Sequence, residues 1–268
     1  MIRLIAADMD DTLLDASSRL TERTAAALRS AMDAGVMISL SSGRMTESMA
    51  PFAEEVGLNA PMILYNGGMI YDHRTDETLY ANAIDARTAL NVARTIEDMG
   101  IYLQIYPGKG YYCNRRCEYT DRYAASVRVP CTELGVPLSQ WMTGGMVKML
   151  AIAEPEVIDE AQKTLRAAFP VGVNFMKSKP HYLEIVAGGV DKGCALKRLG
   201  ELLGVEREEV MAFGDGQNDV SMIAAAGWGV AMENAVDECK AVARLIAPRN
   251  TEDGVAQVIE SFLNEGKM

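Results

Sequence analysis

A chain of 268 residues, 49% hydrophobic and 24% charged, has room for one large or two smaller globular domains. Its formal net charge of −11, with no block of lysine or arginine, argues against a nucleic-acid groove, and no apolar run approaches the ~20 residues of a membrane span. Five cysteines without a Cys-x-x-Cys pair, two histidines and no leader-like apolar region after Met1 point to reduced thiols in the cytoplasm rather than to a disulfide framework or a zinc centre.

Leu4 to Ala7 reads as a buried strand. Residues 21–34 read as a helix with Thr21 as its N-cap and Gly35 just past its end. A strand over 36–40 turns through 41–44 into a helix near 45–56. A third strand over 62–68 ends on a Gly-Gly turn, and 69–81 resembles a hairpin. From about residue 83 the pattern changes. A helix over 85–99 leads to β-like runs at 101–106 and 109–114, then to a loop-rich stretch bearing tyrosines and arginines as far as about 145. A strand over 147–153, a helix opening at Pro155 and strands over 171–176 and 181–187 complete this part. The earlier pattern then returns, with a helix over 192–203, a strand over 210–215, a helix over 218–226, a strand over 228–232 and a closing helix over 252–264. Short strands alternating with helices argue for βαβ units. The expected fold is α/β, a Rossmann-like doubly wound parallel-sheet core of residues 1–82 and 187–268, split by an inserted α+β domain of residues 83–186.

Polar clusters stand where the expected core strands finish, the edge at which open parallel sheets hold ligands. Asp8 and Asp10, with Asp11 beside them, follow the first strand. Ser41-Ser42-Gly43-Arg44 follows the second, Asn66-Gly67 the third, and Asp215 to Asp219 a late one, while Lys192 opens a late helix. Each cluster alone has a bland reading as a turn or a helix cap. A calcium loop counted from Asp8 fails, because its glycine and glutamate positions hold Leu13 and Arg19. Two carboxyls one residue apart suit a nucleophile that attacks phosphorus and a neighbour that moves protons. Asp8 and Asp215, with the main-chain carbonyl of Asp10, suit a hard cation such as Mg2+. The Ser-Ser-Gly-Arg turn offers a hydroxyl, an amide and a helix start to phosphate oxygens. Lys192 sits where a helix dipole disfavours a cation, a local conflict of the kind that marks sites. No P-loop, no G-x-G-x-x-G after the first strand and no G-x-S-x-G are present.

Asp8-Met9-Asp10-Asp11-Thr12, Ser42-Gly43-Arg44, Lys192 before a glycine, and Gly214-Asp215-Gly216-Gln217-Asn218-Asp219 together resemble the four ordered motifs of the haloacid dehalogenase superfamily. Asn66-Gly67 and the place of the insertion resemble its Cof-type branch of sugar-phosphate phosphatases, with a cap of the IIB type. The resemblance covers nearly the whole chain. It implies that Asp8 is the nucleophile, Asp10 the general acid and base, and Ser42 and Lys192 the holders of the phosphoryl group. Gly43, Arg44 and Asn66 join them at the phosphate or substrate. It implies Mg2+ at Asp8, Asp10 and Asp215, with Asp219 supporting the metal's water shell and Asn218 contacting phosphate or orienting a carboxylate. Asp11 departs from the glycine most often found at its place. The insertion would be a cap that excludes water and chooses the leaving group, with Arg115, Arg116, Lys179 and above all His181 as candidate contacts.

The expected function is Mg2+-dependent hydrolysis of small phosphorylated metabolites, sugar phosphates first, through an aspartyl-phosphate on Asp8. A phosphomutase using the same intermediate is the alternative. A non-catalytic phospho-acceptor is a weaker one, since it has no use for a cap or for Asp10. The expected partner is a small-molecule substrate, with neither nucleic acid nor membrane. The substrate itself and the oligomeric state are not legible in the residues.

Overall fold

The computed structural model describes residues 1–108 and 110–268, so Lys109 of the expected strand 109–114 lies outside them. Contacts divide the chain into two units. Met1–Ser42, Ala50–Leu79 and Asp191–Met268 form the first, and Gly43–Met49 with Tyr80–Val190 form the second. The expected boundaries at 83 and 186 therefore move to 80 and 190, and residues 43–49 group with the inserted unit. Local bonds account for the boundary at 190 and for the grouping of residues 43–49. Gly188 N–H donates to Gly172 O, and Asn174 Nδ2 donates to Val190 O. Gly43 O accepts from Lys148 Nζ at 2.7 Å.

The first unit is built on a five-stranded parallel sheet in the order Leu245–Ala247, Trp228–Met232, Val210–Gly214, Leu4–Ala7, Met37–Leu40. Every residue of Leu4–Ala7 and Val210–Gly214 is buried, which requires cover on both sheet faces. Helices supply it: Glu22–Asp33 packs with Gly254–Asn264, and Lys192–Leu203 with Val220–Ala225. Thr21 caps the first of these by accepting from Thr24 N–H at 3.1 Å. The strand expected over 62–68 stops at Leu64, because Tyr65, Asn66 and Gly67 all adopt positive φ, of 53°, 56° and 99°. It pairs antiparallel with Met69–Asp72, in a three-stranded sheet closed by Glu77–Ala81. The helix Asp237–Val242 and the edge strand Leu245–Ala247 were not anticipated.

The second unit has a six-stranded sheet in the order Val173–Lys179, Tyr182–Ala187, Lys148–Ile152, Tyr102–Tyr106, Tyr112–Cys113, Thr132–Glu133. Alternation sorts its central strands into two faces. Leu103, Ile105, Met149, Ala151, Leu183 and Ile185 join the helices Ala86–Asp98 and Pro155–Ala168 in one apolar core. Gln104, Tyr106, Lys148 and Glu184 stand at the intervening positions and are also buried. The stretch read as loop-rich as far as 145 contains the helix Glu118–Val127. Its buried side is Thr120, Tyr123 and Val127, a helical spacing hidden by a hydroxyl and a phenol.

Gly193 sets how closely the helices Lys192–Leu203 and Val220–Ala225 approach. A β-carbon there would collide with the main-chain carbonyl of Ser221, whose Oγ accepts from Gly193 N–H at 3.1 Å. Gly193→Ala should therefore cost about 1–3 kcal/mol by overpacking, whereas Gly144→Ala, with no atom within 4 Å of the added carbon, should stay within about 0.5 kcal/mol. Thermal unfolding of the two variants checks this; equal midpoints would show that the helix contact yields freely.

Candidate functional site

The site grows from two neighbouring strand ends. From Leu4–Ala7 the chain runs one way to Met37–Leu40 and the other way through Val210–Gly214 to the far edge, so the strand order reverses between them. A parallel sheet leaves a crevice at such a point. Asp8 follows Leu4–Ala7, with its N–H donating to Phe213 O at 3.0 Å, and Asp215 follows Val210–Gly214. Past Asp8 the chain tightens into a short irregular helix, Met9–Leu13, broken at Asp10 and Asp11. Asp11 lies at φ 61°, ψ 7°, in the left-handed region where glycine is unstrained and aspartate is among the better-tolerated side chains. Its carbonyl accepts from Asn234 Nδ2 at 2.8 Å. The departure from glycine therefore leaves the turn in place.

Lys192 is fully buried, and its ammonium donates to Asp8 Oδ1 and, at 2.6 Å, to Asp219 Oδ1. The helix that carries it is capped by Asp191, whose side chain accepts from Cys194 N–H at 2.8 Å. Asp219 Oδ2 accepts from the main-chain N–H groups of Asp215 and Gly216 at 3.1 and 2.9 Å. Thr12 Oγ1 donates to Asp215 Oδ1 at 2.7 Å. One oxygen from each of Asp8, Asp215 and Asp219 lies within 4.8 Å of the others. Two of these carboxylates thus share one ammonium and the third stands beside them, so three acidic groups crowd around one cation.

That crowding shows in the proton affinities. Burial pushes the Asp8 carboxyl well above the usual range, Asp219 and Asp215 add to this, and Lys192 opposes it. Burial, then the charge of Asp219, pushes Asp215 up to about 7, against the Thr12 hydrogen bond. Burial would lower Lys192, but Asp219 and Asp8 outweigh it and hold the ammonium charged. A divalent cation fits this donor set, since it offers these crowded hard oxygens two positive charges. Asp10 contributes no side chain to the cluster; the contribution expected of it is a main-chain carbonyl. Cys239 lies beside the cluster, with its thiol donating to Gly216 O at 3.0 Å.

The remaining expected residues fall into two groups. Asn66 N–H donates to Ser42 O at 3.0 Å, and Asn218 Nδ2 donates to Asn66 Oδ1 at 2.9 Å, which links the ends of the strands Met37–Leu40, Met62–Leu64 and Val210–Gly214. Asn66 is fully buried and its Nδ2 has no partner. The turn that holds it presses on the start of the Lys192 helix, where a β-carbon on Gly67 would collide with the Asp191 carbonyl. Gly43 and Arg44 belong to the other unit, where Arg44 Nη1 donates to Ser48 Oγ at 3.3 Å. Of the four candidate substrate contacts, all in that unit, none is buried. Arg116 pairs with Asp121 at 2.6 Å and, with Arg115, lines an open cavity of about 710 Å3 that also presents Glu97 and Asp98. His181 is exposed against the Tyr182 ring, and Lys179 is half-buried. Sequence reasoning missed Thr12, and it missed the buried pair of Lys148 with Glu184. A lysine inside the apolar run VKMLAIA was the available signal, since lysine is seldom buried unless paired.

Comparison with known proteins agrees with this geometry. Residues 5–259 match the family of haloacid dehalogenase-like hydrolases. The chain is 29% identical over 268 residues to pyridoxal phosphate phosphatase YbhA of Escherichia coli K12, covering 97% of this chain and 98% of that one. It is 30% identical over 269 residues to the 5-amino-6-(5-phospho-D-ribitylamino)uracil phosphatase YcsE of Bacillus subtilis 168, covering 98% and 96%. A crystal structure of a haloacid dehalogenase-like hydrolase from Bacteroides thetaiotaomicron superposes with a TM-score of 0.88 at 30% identity, over 98% of this chain and all of that one. No helix among the described residues is long and apolar enough to cross a membrane. With its strand-end carboxylates, its buried lysine and a family match over nearly its whole length, the chain belongs to the haloacid dehalogenase-like hydrolases.

Proposed function

We propose that this hydrolase is a Mg2+-dependent phosphomonoesterase that works through an aspartyl-phosphate on Asp8. The observation that carries the reading is the cluster of Asp8, Asp215 and Asp219, of which Asp8 and Asp219 share the ammonium of Lys192. Asp8 and Asp215, with the Asp10 carbonyl, would hold Mg2+, and Asp219 would support its water shell. The bound cation would offset the charge of these carboxylates and of the phosphoryl oxygens.

One carboxylate oxygen of Asp8 attacks phosphorus, and the bond from phosphorus to the ester oxygen breaks. The Asp10 carboxyl gives its proton to that leaving oxygen. Asp10, now a carboxylate, takes a proton from water as the water oxygen attacks the aspartyl-phosphate. The bond to Asp8 breaks, inorganic phosphate leaves, and Asp10 is protonated again. Lys192 opposes the burial that favours a protonated Asp8 and, with Ser42, holds the transferring oxygens. Asn218 and Asn66 tie that pocket together, and the unpartnered Nδ2 of Asn66 is a free donor for an anion. The substrate class is a small phosphorylated metabolite, in keeping with the phosphate esters after which the two relatives are named, and a sugar phosphate is the first candidate.

A panel of sugar phosphates, nucleotides and cofactor phosphates, assayed for inorganic phosphate with and without Mg2+, tests the reading. Turnover should need Mg2+ and vanish in folded Asp8→Asn, while Asp10→Asn should lose about 10²–10⁴-fold. A single phosphate per chain without further turnover would instead indicate a phospho-acceptor.

Charge predicts the metal response as well. An ordinary aspartate titrates near 3.8, whereas folding raises Asp215 to about 7 and Asp8 in the same direction. Their protonated forms therefore support the metal-free fold below about pH 4, and that support is lost as pH rises towards 7. Mg2+ should raise the thermal midpoint more at pH 8 than at pH 5, where protons compete for the same oxygens. An equal shift at both values would take these carboxylates out of the ligand set, and Asp215→Asn should diminish the shift at pH 8.

A further inference from the structure

The turn after the strand Trp228–Met232 has no part in the proposed reaction, yet it holds both loops that carry the acidic residues. Asn234 is half-buried in that turn, between two residues whose backbone is tied down. Glu233 N–H donates to Ala247 O at 2.8 Å, and Ala235 N–H donates to Met232 O at 2.9 Å. Asn234 Oδ1 accepts from Asn250 N–H at 3.2 Å, and Asn234 Nδ2 donates to Asp11 O at 2.8 Å, so both ends of its amide are used. Two residues further on, Val236 N–H donates to Asp215 O at 2.9 Å, and the Cys239 thiol donates to Gly216 O at 3.0 Å.

These bonds close a ring within the first unit. From Asn234 it runs to the Asp11 carbonyl and through one peptide to Thr12. The Thr12 hydroxyl donates to Asp215 Oδ1 at 2.7 Å, and the Asp215 carbonyl leads back to Val236. Asp11 sits at φ 61°, where a residue with a β-carbon is less at ease than glycine, so its turn needs a hold from outside. A trans peptide is planar, so fixing the Asp11 carbonyl fixes the plane from which Thr12 departs. Thr12 is 1% exposed, and its hydroxyl meets a carboxylate that the proposed reaction gives to the metal. Asn250 Nδ2 secures the far end of the same loop by donating to Leu14 O at 2.8 Å, a bond outside the ring.

We infer that Asn234 is a positioning residue that, by holding the Asp11–Thr12 peptide, aims the Thr12 hydroxyl at Asp215 and so sets that carboxylate for a divalent cation. The inference rests on the Mg2+ reading for its consequence, but not for the anchoring of the loop.

The variant Asn234→Ala tests it. In the metal-free chain, hydrogen–deuterium exchange over residues 9–14 should be faster than in the wild-type chain; unchanged exchange overturns the anchoring. The Mg2+ dissociation constant, read from the rise of the thermal midpoint with Mg2+ concentration, should increase about tenfold, the lower end of what losing a partner that orients a metal ligand costs. A constant within twofold of wild type in the folded variant overturns the positioning role. Asn250→Ala, which loses a bond to the same loop but spares the ring, should lower the metal-free midpoint and leave the Mg2+ constant within twofold. An equal loss of Mg2+ affinity in both variants would mark general loosening of the loop and overturn the ring's role. In a Thr12→Val background, adding Asn234→Ala should change the constant less than twofold, because the residue it acts through is already altered; a further rise of about tenfold overturns the route through Thr12. Wild-type protein whose midpoint does not respond to Mg2+ counts against the Mg2+ reading instead, and leaves the exchange result to decide the anchoring. If Asn234→Ala does not fold, Asn234→Asp, which keeps the acceptor for Asn250 and loses only the donor, carries both measurements with the same expected directions. Its added negative charge would by itself tighten a cation, so weaker Mg2+ binding there still reports the lost hold.

Discussion

The ammonium of Lys192, held between Asp8 and Asp219, is the interaction on which the rest of the first unit depends. It draws together the ends of two strands, the start of one helix and the turn that opens another, elements up to about two hundred residues apart in the chain. A lysine at the first turn of a helix works against the dipole, and its burial works against its charge. Two carboxylates offset both costs. They are then too many for one cation, so the same arrangement that folds the crevice leaves it short of positive charge. Structure and chemistry meet in that shortage.

The sheet makes the shortage possible. Parallel strands buried on both faces have no freedom to slide, because a slip of one residue would turn apolar side chains into the wrong layer. With Ala7 paired to Phe213, the residues that follow, Asp8 and Gly214-Asp215, arrive side by side. The tight turn after Asp8 and the close contact at Gly193 then bring Thr12 and Lys192 inward. None of these side chains needs a long reach.

Much of this was legible in the residues. The alternation of short apolar runs with helical patterns disclosed the α/β core, and strand ends rich in aspartate, serine and asparagine disclosed where chemistry would gather. Local chemistry was harder to read where side chains disguise it. Tyr65-Asn66-Gly67 looked like the end of a strand, because a left-handed turn has no apolar signature. The helix Glu118–Val127 was lost among polar residues, since its buried side relies on Thr120 and Tyr123. The segment 43–49 looked like part of the core because it sits between two core elements in the chain, and its contacts with Lys148 and Gly110 show its other allegiance. Thr12 and Glu184 were silent because a partner, and not a pattern, gives each its meaning.

Cys239 shows what a crowded acidic crevice does to its neighbours. Burial, then the nearby charges of Asp219 and Asp215, push its thiol up to about 12. Thiolate, the form that attacks peroxides and disulfides, is therefore scarce at neutral pH. With its sulfur also turned to the Gly216 carbonyl, this cysteine is chemically quiet beside the carboxylate cluster. The field that would draw in a cation thus also holds this neighbouring thiol in its protonated form.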